Sequence, residues 1–255
     1  MANRSTIQPS CPVCGTAAPL LDVVDLNKSC EEARGSFLPI AGVPVYYALC
    51  DQCGFCFAPE LQQWSDEDFA SRIYNDDYKL VDPDSVETRP RENARWLAGL
   101  FADHVLDIRH LDYGGGNGIL SNELFAMGWN STSYDPFFDG PVSEDLGTFN
   151  LVTCFEVFEH VPDVNHLIAT LSSLVDHNGM VLFSTALSDG SLVRNERLRW
   201  WYASPRNGHI SLFSRRSLAL LGAKGDFELA SCGANLHAYW RENVPAWAAK
   251  LLKAA

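Results

Sequence analysis

The sequence predicts an α/β protein, a doubly wound parallel sheet with a small β-rich cysteine module in front of it. Three observations carry that prediction. From about residue 107 onward, short apolar runs alternate with segments of helical period, the pattern of strands joined by crossover helices. The first of these runs ends in LDYGGGNGIL, Leu111 to Leu120, which reads as a strand end, a glycine turn and a helix start. Ahead of it, five of the eight cysteines fall in two clusters before residue 60.

Length and charge set the limits. The 255 residues allow one sizeable core, or one core plus a small module. There is no run of about eighteen apolar residues and no basic, apolar leader, so the expectation is a cytoplasmic protein without a membrane partner. The formal net charge of −13 repels phosphate backbones and argues against nucleic acid as a partner.

Residues 1–62 form the cysteine module. CPVCG begins at Cys11 and CDQCG at Cys50, with 35 residues between Cys14 and Cys50. Two C-x-x-C-G knuckles predict one tetrahedral site made by Cys11, Cys14, Cys50 and Cys53. The glycine after each second cysteine permits the tight turn. Strand-like LLDVVDL and VPVYYALC lie between, separated by EEARGS. This suits a zinc-ribbon-like module that depends on its ion because it cannot build a large core. Zinc is the expected ion; iron in a rubredoxin-like set and two disulfides in a secreted domain are the alternatives. Four thiolates leave no open coordination position, so the ion is read as structural. Cys56 is a spare thiol, read as buried.

Residues 63–106 connect. Ser65 is placed to cap a helix opened by SDEDF, with Asp68 at the capping-box position. Pro83 and Pro90 punctuate, and RENARWLAGLFADHVL has helical spacing with Trp96, Leu97, Leu100 and Phe101 on one face.

The main domain spans 107–255. IRHLDYG is a strand and Asn117 to Met127 its helix, stopped at Gly128. NSTSYD is the second strand and ends in Asp135, 23 residues after Asp112. FNLVTCFEVFEHVPDV gives the next strand and its loop, and Pro162 and Asp163 start a helix. HNGMVLFSTA supplies a turn at Asn178–Gly179 and another strand. SLFSRRSL opens a helix capped by Ser214, and GDFELASCGANLHAYW closes the sheet as an antiparallel pair.

Starting from Gly114, the dinucleotide fingerprint G-x-G-x-x-G meets Ile119 where it needs a small residue. What fits instead is D-x-G-x-G-x-G, Asp112, Gly114, Gly116 and Gly118, which resembles motif I of class I S-adenosylmethionine (SAM) methyltransferases. Asp135 matches the acidic strand end of that family, and VTCFEVFEH resembles its fourth-strand segment, with Asn150 where Asp is usual. The resemblance implies a Rossmann-like sheet of order 3-2-1-4-5-7-6 and SAM as cofactor. It places Asp112, Gly114, Gly116, Gly118, Asp135, Pro136, Phe155 and Glu156 around that cofactor, Asp135 on the ribose hydroxyls. It also places Tyr74, Tyr78 and Arg89 in a covering lid. Only fourteen residues separate Asp135 from Asn150, too few for a helix–strand–helix passage. The third strand is therefore expected to be short or absent, with Glu144, Asp145 and Leu146 the nearest candidates for an adenine wall.

Methyl transfer from a sulfonium needs alignment and, for an oxygen or carbon acceptor, a base. Glu156, His160 and His209 are the catalytic candidates; His209 follows Gly208 in a predicted loop. E-x-x-E-H has a second reading. If the loop is helical, Glu156, Glu159 and His160 share a face and, with His209, hold Mg²⁺, as in ubiquinone-pathway and small-RNA ribose methyltransferases. In RLRWWYASPRNGHIS, Trp200, Trp201 and Tyr202 offer apolar walls. Arg194, Arg197, Arg199 and Arg206 are cations for an anionic acceptor. Domain order further resembles the zinc-containing methyltransferases of sugar and natural-product pathways, which implies a small-molecule acceptor. Two competitors stay open: a SAM-binding or protein-interaction module without turnover, and an NAD(P)-dependent reductase, disfavoured by Ile119 and the lack of a Y-x-x-x-K pair.

Overall fold

The computed structural model describes residues 8–252. Strands β1 (Leu20–Asp25) and β2 (Pro44–Leu49) pair antiparallel, and β3 (Cys56–Phe57) adds to β2. Helices α1 (Asp66–Arg72) and α2 (Thr88–Leu100) follow. The chain then runs β4 (Arg109–Tyr113), α3 (Ile119–Ala126), β5 (Asn130–Tyr134), α4 (Pro136–Asp139), β6 (Phe149–Cys154), α5 (Val164–Leu174) and β7 (Val175–Ser184). It ends with β8 (Ser211–Leu212), α6 (Arg215–Ala223), β9 (Glu228–Ser231), β10 (Leu236–Trp240) and α7 (Ala249–Leu252).

Six strands form one sheet in the order β5-β4-β6-β7-β10-β9. β5, β4, β6 and β7 are parallel, and β10 is antiparallel to β7 and β9. This is the expected doubly wound order with no third strand among the described residues. Between Asp135 and Asn150 the chain makes only α4 and a 3-10 turn at Glu144–Leu146. Leu111, Leu151, Val152, Val181 and Leu182 are fully buried, as parallel strands covered on both faces require.

Local chemistry sets the helix ends. The Ser65 hydroxyl accepts from the Asp68 N–H and completes a capping box at α1. The Asp163 carboxylate accepts from the N–H groups of Asn165 and His166, and Ser214 caps α6. Two expectations need correction. Asn178 and Gly179 do not turn the chain ahead of a strand. They lie inside β7, where the register against β6 shifts between the pairs Phe149–Val175 and Leu151–Met180. A Cβ at Gly179 would approach the Asn150 and Asp176 carbonyl oxygens to 3.0 Å, so the irregularity needs glycine. On α2, Leu97 and Phe101 are buried, but Trp96 points outward and meets Phe155 edge-on with ring centroids 6.4 Å apart.

The cysteine knuckles pack into the main core. Cys11, Cys50, Cys53, Phe55 and Phe57 share one apolar cluster with Phe158, Phe183, Phe213 and Tyr239. Phe55 lies 5.0 Å from Phe213, centroid to centroid. Burying such side chains contributes about 1.5–3 kcal/mol each, which a short β-ribbon standing alone would forgo. Strand β3 also pairs with β8, setting Cys56 opposite Leu212 and Phe57 opposite Ser211. Arg194 straps the other side. Its guanidinium donates to the carbonyls of Pro19, Leu20 and Leu49 and pairs with Asp51 at 2.8 Å.

Arg194→Ala leaves those three carbonyls without this donor. Its urea midpoint is expected to fall by the equivalent of about 1–3 kcal/mol, read by tryptophan fluorescence. An unchanged midpoint would show that the strap carries no stability.

Candidate active site

The glycine turn sits where β4 ends and α3 begins. Gly114, Gly116 and Gly118 all have positive φ, at 74°, 56° and 73°. Gly115, which the motif leaves free, is as constrained: a Cβ there would come within 2.4 Å of Ser133 Oγ and 2.6 Å of Asp112 Oδ2. The only hint in the sequence was the unbroken run of three glycines. Asp135, at the end of β5, reaches back to the turn. One carboxylate oxygen accepts from the Gly116 N–H at 2.8 Å, and the other from the Phe137 N–H at 2.9 Å. Pro136 is the first residue of α4 beside it.

Asp112 lies beneath the turn, buried. The Thr153 hydroxyl donates to it at 2.8 Å, and Thr153 in turn meets His110 Nε2 at 2.9 Å. His110 continues to Ser131 at 2.7 Å, so a buried polar chain crosses β6, β4 and β5. Burial pushes the Asp112 carboxyl up to about 7, against the opposing pull of the Thr153 bond.

The loop after β6 carries the remaining candidates, in an arrangement that differs from a regular helix. Glu156 is in the left-handed region, φ 54°. Its N–H donates to Ser184 Oγ, and the Ser184 hydroxyl donates back to its carboxylate, both at 2.8 Å. Its second oxygen lies 3.9 Å from Arg89, which is itself held by a bidentate pair with Asp82. Glu156 therefore faces Arg89, while Glu159 and His160 lie in a 3-10 turn at Phe158–His160.

Glu159, His160 and His209 come together, with one donor atom from each within 4.8 Å of the others. Glu156 is not part of this set. Glu159 is fully buried; one oxygen accepts from the Tyr202 hydroxyl and the other has no hydrogen-bond partner. Burial first, then the Glu156 charge, raises its carboxyl to about 8. His209 Nδ1 lies 2.8 Å from the Tyr202 carbonyl, and the Tyr47 hydroxyl donates to the His209 carbonyl at 2.7 Å. His160 Nδ1 is 3.1 Å from the Tyr74 hydroxyl, and the two imidazole centroids are 5.0 Å apart. Burial lowers both histidines, His160 to about 4, so both rings are uncharged near neutral pH. Tyr47 was not legible as a site residue and Tyr202 was read only as an apolar wall, because their partners are 162 and 43 residues away.

The arginines offered for an anionic acceptor are largely engaged within the protein. Arg194 straps the cysteine module, Arg197 pairs with Asp22 at 3.2 Å, and Arg206 donates to the Ile73 carbonyl and to Asn75. Among the described residues only Arg199 of the four makes no such contact through its side chain.

The four knuckle cysteines converge as their spacing suggests. Cys11 and Cys53 Sγ are 3.6 Å apart, Cys14 and Cys50 Sγ 3.4 Å, and all four lie within 4.8 Å of one another. These separations exceed a disulfide bond and approach the roughly 3.8 Å between sulfurs around one tetrahedral zinc. Each knuckle closes in the same way. The Gly15 N–H donates to the Cys11 carbonyl and the Gly54 N–H to the Cys50 carbonyl, both at 2.8 Å, with both glycines at positive φ. Cys56 is fully buried outside this set.

A carboxyl whose folded pKa is raised favours the fold only while protonated. For Asp112 that contribution is complete below about pH 4 and is lost as pH rises through 7. Asp112→Asn is thus expected to gain on the natural chain between pH 4 and 7, at roughly 1.4 kcal/mol per unit of pKa shift. Parallel denaturation curves measure it; a difference that does not vary with pH would refute the assignment.

Comparison with known proteins fits this geometry. Residues 85–231 match the family described as "Methyltransferase domain". Over 103 residues the chain is 36% identical to the ubiquinone biosynthesis O-methyltransferase of Colwellia psychrerythraea, which covers 31% of this chain and 42% of that protein. It is 31% identical over 148 residues to the enzyme of the same name from Vibrio campbellii, covering 41% and 63%. The chain thus spans less than two thirds of either relative. Among solved structures, an O-methyltransferase family protein from Burkholderia thailandensis aligns with a TM-score of 0.45 at 15% identity, over 71% of this chain and 66% of that one. The family match extends over more than half of the sequence, and the chain belongs to the methyltransferase-domain family, with the sheet of a class I enzyme.

Proposed function

We propose that the chain transfers the methyl group of SAM to an oxygen of a small-molecule acceptor. One observation carries the reading: the glycine turn with Asp135 and the Glu159–His160–His209 set share the carboxyl edge of the sheet, bridged by Tyr74. The Tyr74 ring lies 6.0 Å from Phe137, beside Asp135, and 6.2 Å from His160. Open α/β sheets bind ligands at that edge. The curated relatives are O-methyltransferases by name, which supports oxygen as the acceptor atom.

In this reading Gly114, Gly116 and Gly118 let the cofactor approach the backbone, and Asp135 takes the ribose hydroxyls. Pro136, Phe155 and Glu156 line the same edge. The methyl passes from sulfonium sulfur to acceptor oxygen in line, so positioning supplies most of the rate. His160 and His209, kept uncharged by burial, accept a hydrogen bond from the acceptor hydroxyl and aim its oxygen. With three of the four flap arginines engaged, an anionic acceptor would have to rely on Arg199. The Cys11–Cys14–Cys50–Cys53 set holds a structural zinc, its thiolates supplying all four ligands. No helix among the described residues is long and apolar enough to cross a membrane, and the free thiols suit the reducing cytoplasm.

Calorimetry with S-adenosylhomocysteine and with NAD tests the cofactor. The first is expected to bind and the second not. Asp135→Ala is expected to weaken S-adenosylhomocysteine binding by about 10- to 100-fold, the equivalent of losing hydrogen bonds to a charged group. Binding of NAD alone would overturn the reading. Binding without labelled methyl transfer to any small molecule of an extract would favour a SAM-binding module.

A further inference from the structure

We propose that a small cavity between the cysteine module and the flap carrying Trp201 is a second part of the acceptor site, and that it takes an uncharged, flat, apolar ring. The assignment to an acceptor rests on the methyl-transfer reading; binding of the ring does not. Cys30, Glu31, Ala33 and Arg34, on a 3-10 turn of the N-terminal module, form one wall, and Trp201 forms the other. The space between them is about 260 Å³. Pockets for drug-sized ligands run from about 300 to 1,000 Å³, so this one suits a single ring or a fused pair and not a whole cofactor.

Its walls are fixed before any ligand arrives. The Lys28 ammonium donates to the carbonyls of Trp200 and Ala203, the Cys30 N–H donates to Asn207, and the Arg206 N–H donates to the Lys28 carbonyl. These bonds lock the turn to the flap on both sides of Trp201. That indole nevertheless stays 45% exposed. Trp is on average a highly buried residue, and an indole left open over a rigid cavity offers its face for stacking.

The lining chooses the ring. Arg34 and Glu31 answer each other at 2.9 Å, and Cys30 brings a thiol, a weak donor and weak acceptor. No unpaired charge is left among these five residues. A sugar would bring hydroxyls against surfaces that cannot bond them, and an anion would meet an arginine already paired.

Position ties the cavity to the histidines. Cys30 Sγ lies 3.8 Å from His209 Nδ1. Trp201 also starts a row of rings. Centroid to centroid, it is 5.1 Å from Tyr202, Tyr202 is 4.2 Å from His209, and His209 is 5.0 Å from His160. A ring seated on Trp201 therefore stands on the Cys30 side of His209, and the part of the acceptor that carries the reacting oxygen extends toward the histidine pair. The Cys30–Arg34 turn gives the cysteine module a part in choosing the acceptor.

The test is a titration of the full chain with 2-naphthol, followed by the ¹⁵N-labelled indole N–H signals of its seven tryptophans. The Trp201 signal, identified by its loss in Trp201→Ala, is expected to shift saturably with a Kd below about 1 mM. Methyl α-glucoside at the same concentrations leaves it unmoved. Ala33→Phe fills the cavity from an exposed position, where the core is not disturbed. It is expected to weaken 2-naphthol binding about 10-fold and to leave S-adenosylhomocysteine binding as it was. An unmoved Trp201 signal, an equal response to the glucoside, or undiminished 2-naphthol binding in Ala33→Phe would overturn the proposal. The ring ¹⁵N signals of His209 are expected to move together with that of Trp201; if they stay fixed, the cavity is no part of the acceptor site. Ring binding without S-adenosylhomocysteine binding would refute methyl transfer and leave the ring site standing.

Discussion

Two residues of backbone pairing hold the cysteine module to the segment that carries His209. Cys56 and Phe57 of β3 lie beside Leu212 and Ser211 of β8. On one side of that ladder the chain runs back through Phe55 into the Cys50–Cys53 knuckle. On the other it runs back to His209 within two residues. The Ser214 hydroxyl donates to the Cys53 carbonyl, and Tyr47 on β2 donates to the His209 carbonyl. Ordering the knuckle and ordering His209 are therefore one event. A C-x-x-C module is often read as a separate docking unit; here its strands are part of the scaffold around the histidines.

The same constraint explains the flap between β7 and β8. Lys28 donates to the carbonyls of Trp200 and Ala203, and Asn207 accepts from the Cys30 N–H. These contacts cap loop carbonyls and amides that would otherwise be buried unpaired. The segment carrying Tyr202 and His209 thus takes its shape from residues near the start of the chain. Three of its four arginines, Arg194, Arg197 and Arg206, act as straps, with charges answered by Asp22, Asp51 and backbone oxygens.

Much of the fold was legible because its signals are local. Knuckle spacing, the glycine turn, Asp135 at its strand end and the caps at Ser65, Asp163 and Ser214 each involve residues a few positions apart. The absent third strand was legible from a count of residues. What the sequence hid were partners distant in the chain: Tyr202 for Glu159, Tyr47 for His209, Thr153 and His110 for Asp112. Asn178–Gly179 misled because Asn-Gly marks turns in general, whereas here it fills an irregularity inside a strand. Glu156 and Glu159 were read on one helical face, but Glu156 has a left-handed backbone and stands outside the Glu159–His160–His209 set.

The missing third strand also changes what β5 is. In a sheet with that strand present it would be an interior strand, paired on both sides. Here it borders the sheet with one row of peptide groups unpaired. Exposed borders recruit other strands, and a long apolar one invites aggregation. The sequence Asn130-Ser131-Thr132-Ser133-Tyr134 is short and polar through its first four positions, a poor template for a stray chain. The shortening between Asp135 and Asn150 thus comes with a border strand that is short and mostly polar.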